Sequence, residues 1–139
     1  MQYIKPSSNS VVSYESRDCT VRALASAMDC SYSRAYAIME RAGRVENCGM
    51  NANDICQAMR YVNGKLVGVF GSTIAATYLR HITNAGYERG MELKNFLKYF
   101  QNGRYFVMIR GHALAVVDGE LMDSGYVKAG VYVVAAWKF

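Results

Sequence analysis

The chain is short of the features that would mark it as anything other than a folded domain. It has one proline in 139 residues, with no internal repeat and no low-complexity tract, which excludes collagen-like and linker-type sequence. Its longest apolar run, Val131–Trp137, falls far short of the roughly 20 residues that span a bilayer. Met1–Pro6 lacks the basic-then-apolar layout of a signal peptide, so a cytoplasmic protein with no membrane partner is expected. The four cysteines, at 19, 30, 48 and 56, form no Cys-x-x-Cys and no zinc-knuckle spacing, so free thiols and no metal are expected. Only His81 joined to Cys48 and Cys56 offers an alternative metal set. Gly64, Gly68 and Gly71 lack the order of a nucleotide-binding loop, and no cofactor is expected. Charge of one sign is not concentrated either. Sixteen Lys and Arg against eleven Asp and Glu give +5, but no three bases are consecutive. A nucleic-acid binder gathers its bases to neutralise several phosphates at once, so a nucleic-acid partner is not expected.

What is present is apolar and patterned. Hydrophobic residues make up 52% and aromatics 12%, enough for a real core in one domain over residues 1–139. Residues 1–17 are Ser-rich and read as an extended arm. Residues 18–100 read as mainly helical, and 104–139 as an antiparallel sheet. Helical spacing starts at Cys19, with Val21, Leu24, Ala25 and Met28 on one face and Asp18 placed as an N-cap. A second helix is expected over Ser33–Ala42, capped by Ser31 or Ser33 and stopped at Gly43. A third opens at Asn51 or Asn53 and ends at Asn63-Gly64. Lys65–Phe70 reads as a strand. Thr73–Asn84 reads as a helix with Ile74, Tyr78, Leu79 and Ile82 recurring, and Met91–Phe100 as another. The texture then turns to β: Arg104–Arg110, an interruption at Gly111, a continuation through His112–Val117, a return over Glu120–Ser124, and Val131–Phe139. Helices first and sheet second make an α+β fold.

Asp118-Gly119 is the dipeptide favoured by a two-residue hairpin turn of type I′, whose two turn residues both need positive φ. That register sets Val117 against Glu120, Leu114 against Asp123 and His112 against Gly125. Period-two alternation then puts His112, Leu114, Asp123 and Gly125 on one face, and Asp123 becomes the diagonal neighbour of His112. A carboxylate there can hold one imidazole nitrogen and leave the other free to move a proton. Cys19, at a helix start, stands where backbone N–H groups and the positive end of the helix dipole favour a thiolate. Asp18 beside it works in the opposite direction. Cys30, Cys48 and Cys56 read as packing thiols, His81 as an exposed helix residue, and Trp137 as core.

A cysteine opening the first helix, then His on a strand, then Asp on the next strand, is the layout of the papain-like cysteine peptidases. The run Arg17-Asp18-Cys19-Thr20-Val21-Arg22-Ala23-Leu24-Ala25 resembles the Cys-helix segment of small papain-like proteins of bacteria and bacteriophages. Gly103–Val107 and Gly111–Gly119, ending in Asp123, are similar to their His-hairpin, and Val131–Phe139 to their last strand. The likeness covers about residues 17–43 and 91–139. It implies a papain-like fold and a thiol-dependent peptidase, isopeptidase or amidase, with Cys19 as nucleophile, His112 as base and then acid, and Asp123 orienting His112. The implied partner is a protein or peptide substrate, a host protein if the source is a phage acting in host cytoplasm. Such enzymes commonly add a side-chain oxyanion donor, often Gln, shortly before the Cys. The only upstream glutamine is Gln2, so Asn9, Ser13 and Ser16 are left as candidates. The rival expectation is a catalytically silent protein of the same fold, such as a virion component or an inhibitor of a host protein.

Overall fold

Polar starts cut the first half of the chain into helices of equal length. In a computed structural model, which describes residues 17–46, 48–122, 127–128 and 130–139, α1 (Cys19–Met28), α2 (Tyr32–Arg41), α3 (Ala52–Tyr61) and α4 (Ile74–Thr83) each run ten residues. Side-chain oxygens of Ser31, Asn51 and Thr73 accept from the backbone N–H three residues on, so α2, α3 and α4 begin on true side-chain caps. Left-handed residues mark several of the stops, with Asp29 at φ 55° after α1 and Asn84 at φ 60° after α4. Asn9, Ser13, Ser16, Asp123 and Gly125 lie outside the described residues.

The strands are β1 (Lys65–Val69), β2 (Met91–Glu92), β3 (Arg104–Ile109), β4 (His112–Val117), β5 (Glu120–Met122) and β6 (Tyr132–Lys138), with α5 (Leu93–Tyr99) between β2 and β3. They form one antiparallel sheet in the order β1-β6-β3-β4-β5, with β2 paired to one end of β6. The α+β expectation holds at this level. The sheet is not confined to the C-terminal third, however, because β1 and β2 come from the middle of the chain and pair with β6. No helix among the described residues is long and apolar enough to cross a membrane.

Alternation along the strands divides the interior into two cores. Phe106, Met108, Ala113, Ala115 and Trp137 face α1–α4, while Tyr105, Val107, Leu114, Val116 and Ala136 face α5 through Leu93 and Phe96. On the helix-rich side α1 lies chiefly against β4, and alanines on both partners (Ala23, Ala27, Ala113, Ala115) let helix and strand approach closely. Arg104 ties the far end of α1 to the sheet by donating to the Ser26 carbonyl at 2.6 Å. On the other side Phe96 stacks on Phe100 at 4.5 Å and meets Tyr105 edge-on at 5.5 Å.

Three local expectations are corrected. Met91 and Glu92 are strand rather than helix, since they pair with Val133 and Tyr132 and the helix starts only at Leu93. Ile74 and Tyr78 do not share the buried stripe of α4; Ile74 is 92% exposed and Ala76 and Leu79 are the buried residues. The stretch 104–117 is not one interrupted strand. Ile109 pairs with His112, so Arg110-Gly111 is a two-residue hairpin loop with Gly111 at φ +68°. The Asp118-Gly119 turn is as its dipeptide predicts, with φ of 49° and 80° and Val117 paired to Glu120.

The Arg110-Gly111 turn carries a stability prediction. A Cβ on Gly111 would meet nothing within 4 Å, so backbone strain is the only penalty for a side chain there. Gly111→Val should cost about 1–2 kcal/mol in urea unfolding, because a β-branched residue is poorly suited to positive φ. Gly111→Asn should cost less than half of that. Equal losses for the two variants would refute strain as the cause.

Candidate active site

Cys19 is the first residue of α1, and the chain enters it through Arg17 at φ 58°. The helix's first internal bond is Arg22 N–H to the Asp18 carbonyl at 3.0 Å, so the N–H groups of Cys19, Thr20 and Val21 precede the intrahelical ladder. Asp18 occupies the N-cap position but makes no side-chain cap hydrogen bond, contrary to expectation. Its carboxylate is drawn elsewhere. Tyr32 Oη donates to Oδ2 at 2.5 Å, and Arg22 Nε pairs with Oδ1 at 2.9 Å. The acid is 7% exposed and Tyr32 3%, so this is an interior clamp that joins α1 to the start of α2. Arg44, also buried, continues it: Nη2 donates to the Arg17 carbonyl at 3.2 Å, and the guanidinium lies over the Tyr36 ring at 5.5 Å.

His112 comes to Cys19 from the sheet. It is the first residue of β4, placed at the end of the strand by the Arg110-Gly111 turn, and its side chain shares a hydrogen bond with the Cys19 thiol. Leu114, two residues on, turns into the core on the α5 side. The contact of α1 with β4 brings the two groups together across more than ninety residues of sequence.

Several influences act on the thiol. Burial is the largest, and by itself it would push the thiol pKa up. It is outweighed by the hydrogen bond with His112, the backbone N–H of Ala113, and the charges of His112 and Arg22, which together hold the thiol below its ordinary value. The Arg22 charge adds to this effect while Asp18 is engaged by Arg22 and Tyr32. Cys30 goes the other way: burial and the neighbouring Asp29 raise its pKa, against a weaker opposing pull from Arg34 and the Ala35 N–H. Cys48 is exposed and Cys56 buried in the helix-side core. His81 is exposed on α4. Among the described residues no group of three His, Cys, Asp or Glu stands close enough to hold a metal ion.

Of the residues read from sequence as catalytic, the structure therefore brings Cys19 and His112 together; Asp123 lies outside the described residues, as do Asn9 and Ser13. The pairs of β4 with β5 run from Val117–Glu120 to Ala115–Met122. Sequence reading missed the Asp18–Tyr32–Arg22 clamp. The Asp18 and Arg22 spacing of four on a helix was a legible signal for half of it, whereas Tyr32, on another helix, gave none.

No protein-family profile, curated protein or solved structure matches this chain.

Proposed function

We propose that the protein is a thiol-dependent acyl hydrolase, a peptidase, isopeptidase or amidase of papain-like type, that works through an acyl-enzyme on Cys19. The observation that carries this reading is the hydrogen bond between a helix-opening thiol and the His112 imidazole, with the thiol held below its ordinary pKa. A buried packing cysteine needs neither a base nor a lowered pKa.

The thiolate sulfur of Cys19 attacks a carbonyl carbon while the proton resides on His112. The N–H groups at the start of α1 precede the helix's own ladder, so they can receive the developing oxyanion. Collapse of the tetrahedral intermediate expels the leaving amine, which takes the proton from His112, and leaves a thioester. Water then gives a proton to His112 and attacks the thioester, releasing the acid and regenerating the thiol. Asp123 fills the role of orienting carboxylate, as the resemblance implies.

The test uses an activated ester, p-nitrophenyl acetate. Attack by Cys19 forms the acetyl thioester and releases p-nitrophenolate; water then returns the thiol and acetate. Intact-mass and peptide mapping after rapid acid quench should find a single acetyl group on Cys19, and Cys19→Ser should remove it. Asp123→Asn should slow acetylation by about tenfold or more, since it leaves the imidazole without its ionised partner. Acetylation spread evenly over the thiols, or placed on Cys48, would overturn the assignment.

A further inference from the structure

Two residues before Cys19 the backbone takes a conformation that an arginine seldom adopts. Arg17 has φ 58° while its side chain is exposed, so side-chain packing does not hold it there. The contact that does hold it comes from Arg44. Gly43, at φ 119°, closes α2, and the Arg44 N–H donates to the Met39 carbonyl at 3.0 Å. From that position Arg44 Nη2 donates to the Arg17 carbonyl at 3.2 Å, and the guanidinium lies over the Tyr36 ring at 5.5 Å. Arg44 is 5% exposed. Burying a guanidinium incurs a desolvation cost that an apolar side chain of similar size avoids, so filling space does not account for an arginine here.

The bond matters because of where the Arg17 carbonyl stands. It belongs to the planar peptide unit that joins Arg17 to Asp18, and the next unit carries the Asp18 carbonyl and the Cys19 N–H. The Asp18 carbonyl accepts from the Arg22 N–H at 3.0 Å, along the helix. In a trans peptide the N–H points opposite to the C=O, so the Cys19 N–H is directed out of the helix start. Asp18 is thus held on three sides: by Arg44 through the peptide before it, by Arg22 N–H through the peptide after it, and by Tyr32 and Arg22 Nε through its carboxylate. A strained turn persists where its surroundings over-determine it in this way.

We propose that Arg44 is a positioning residue of the Cys19 site: by holding the Arg17 carbonyl it keeps the left-handed turn at Arg17, and so aims the Cys19 N–H at the oxyanion of the acyl-transfer step. The inference rests on the acyl-hydrolase reading and adds to it the group that fixes the oxyanion donor.

The test compares two reactions of one thiolate, each followed at Cys19 by peptide mapping. With p-nitrophenyl acetate the sulfur adds to the carbonyl carbon, the carbonyl oxygen takes up the negative charge, and collapse expels p-nitrophenolate to leave the acetyl thioester. With iodoacetamide the sulfur bonds to the methylene carbon as iodide leaves, and no oxyanion develops. Both rates scale with the thiolate fraction and with the folded fraction, so their ratio at one pH cancels both and reports on the oxyanion donors. Arg44→Met keeps bulk and removes the bond to the Arg17 carbonyl; it should lower the acetylation-to-alkylation ratio at least about tenfold, because a small displacement of an oxyanion donor is costly. Arg17→Gly takes positive φ without strain, so alone it should leave the ratio within about twofold of the unaltered protein. Combined with Arg44→Met, it should restore most of what Arg44→Met loses. Both rates falling together in Arg44→Met, with the ratio unchanged, would make Arg44 a packing residue and overturn the proposal. A double variant as impaired as Arg44→Met alone would overturn it too. Failure of iodoacetamide to single out Cys19 in the unaltered protein would instead overturn the reading beneath it.

Discussion

Near about pH 6.5, iodoacetamide should alkylate Cys19 about tenfold faster than Cys48 and faster still than Cys30. Exposure alone predicts the opposite order, since Cys48 is exposed and Cys19 only half-buried. The alkylation rate is the thiolate fraction multiplied by intrinsic nucleophilicity. Each unit of pKa lowering multiplies the first by about ten below the titration midpoint, and gives back only about a factor of three in the second. The sign follows directly. A thiol held below its ordinary value ionises at lower pH, so the Cys19 rate should level off at lower pH than that of Cys30. Cys30, pushed up by burial, should climb at higher pH than Cys19. His112→Ala removes both the hydrogen bond and the charge of the imidazole. Burial, the largest influence, then meets less opposition, and the Cys19 profile should move to higher pH than in the native protein. Peptide mapping after timed alkylation across the pH range measures all four thiols in one sample. Equal labelling in the native protein, or a profile unmoved by His112→Ala, would remove the activated thiolate.

The largest stability effect should come from Asp18. Asp18→Ala removes the carboxylate that accepts from the Tyr32 hydroxyl and pairs with the Arg22 guanidinium, in a place where Asp18 and Tyr32 are buried and the Arg22 side chain is 29% exposed. Removing one member of such a group costs about 2–4 kcal/mol, less than for a wholly interior pair because Arg22 reaches solvent. For a chain of this size that corresponds to a fall in Tm of roughly 6–12 °C. Tyr32→Phe removes one hydrogen bond and should cost about 1–1.5 kcal/mol. In the Asp18→Ala background the same substitution should cost clearly less, because the Asp18–Tyr32 hydrogen bond is already gone. Urea unfolding of the two single variants and the double variant measures that coupling. Additive losses would mean that the carboxylate and hydroxyl do not act together.

The elements whose ends are written in local chemistry were legible. Ser31 and Asn51 cap α2 and α3, and Asp118-Gly119 turns β4 into β5, because each depends only on residues within a few positions. Where tertiary contact competes with local preference, sequence reading failed. Asp18 has the side chain of a cap, yet Tyr32 and Arg22 offer its carboxylate a hydroxyl and a full charge, and they win over backbone N–H groups. Met91 and Glu92 fit a helix by composition, yet β6 offers them a free edge. Ile74 fits the helical stripe by period, yet α4 turns Ala76 and Leu79 inward instead, a rotation set by which neighbours it packs on.

By itself the chain of 139 residues determined most of the elements and their order, and it carries Cys19, His112 and Asp123 in that sequence. Periodicity, caps and turn dipeptides are short-range properties, and they survive reading in one dimension. Only the tertiary structure decided that the thiol of Cys19 and the ring of His112 meet, because that contact depends on α1 lying along β4 and on a two-residue turn delivering His112 to the sheet's end. The charge environment of the thiol is likewise a sum over groups from α1 and β4, and burial, its largest part, exists only once the chain has folded.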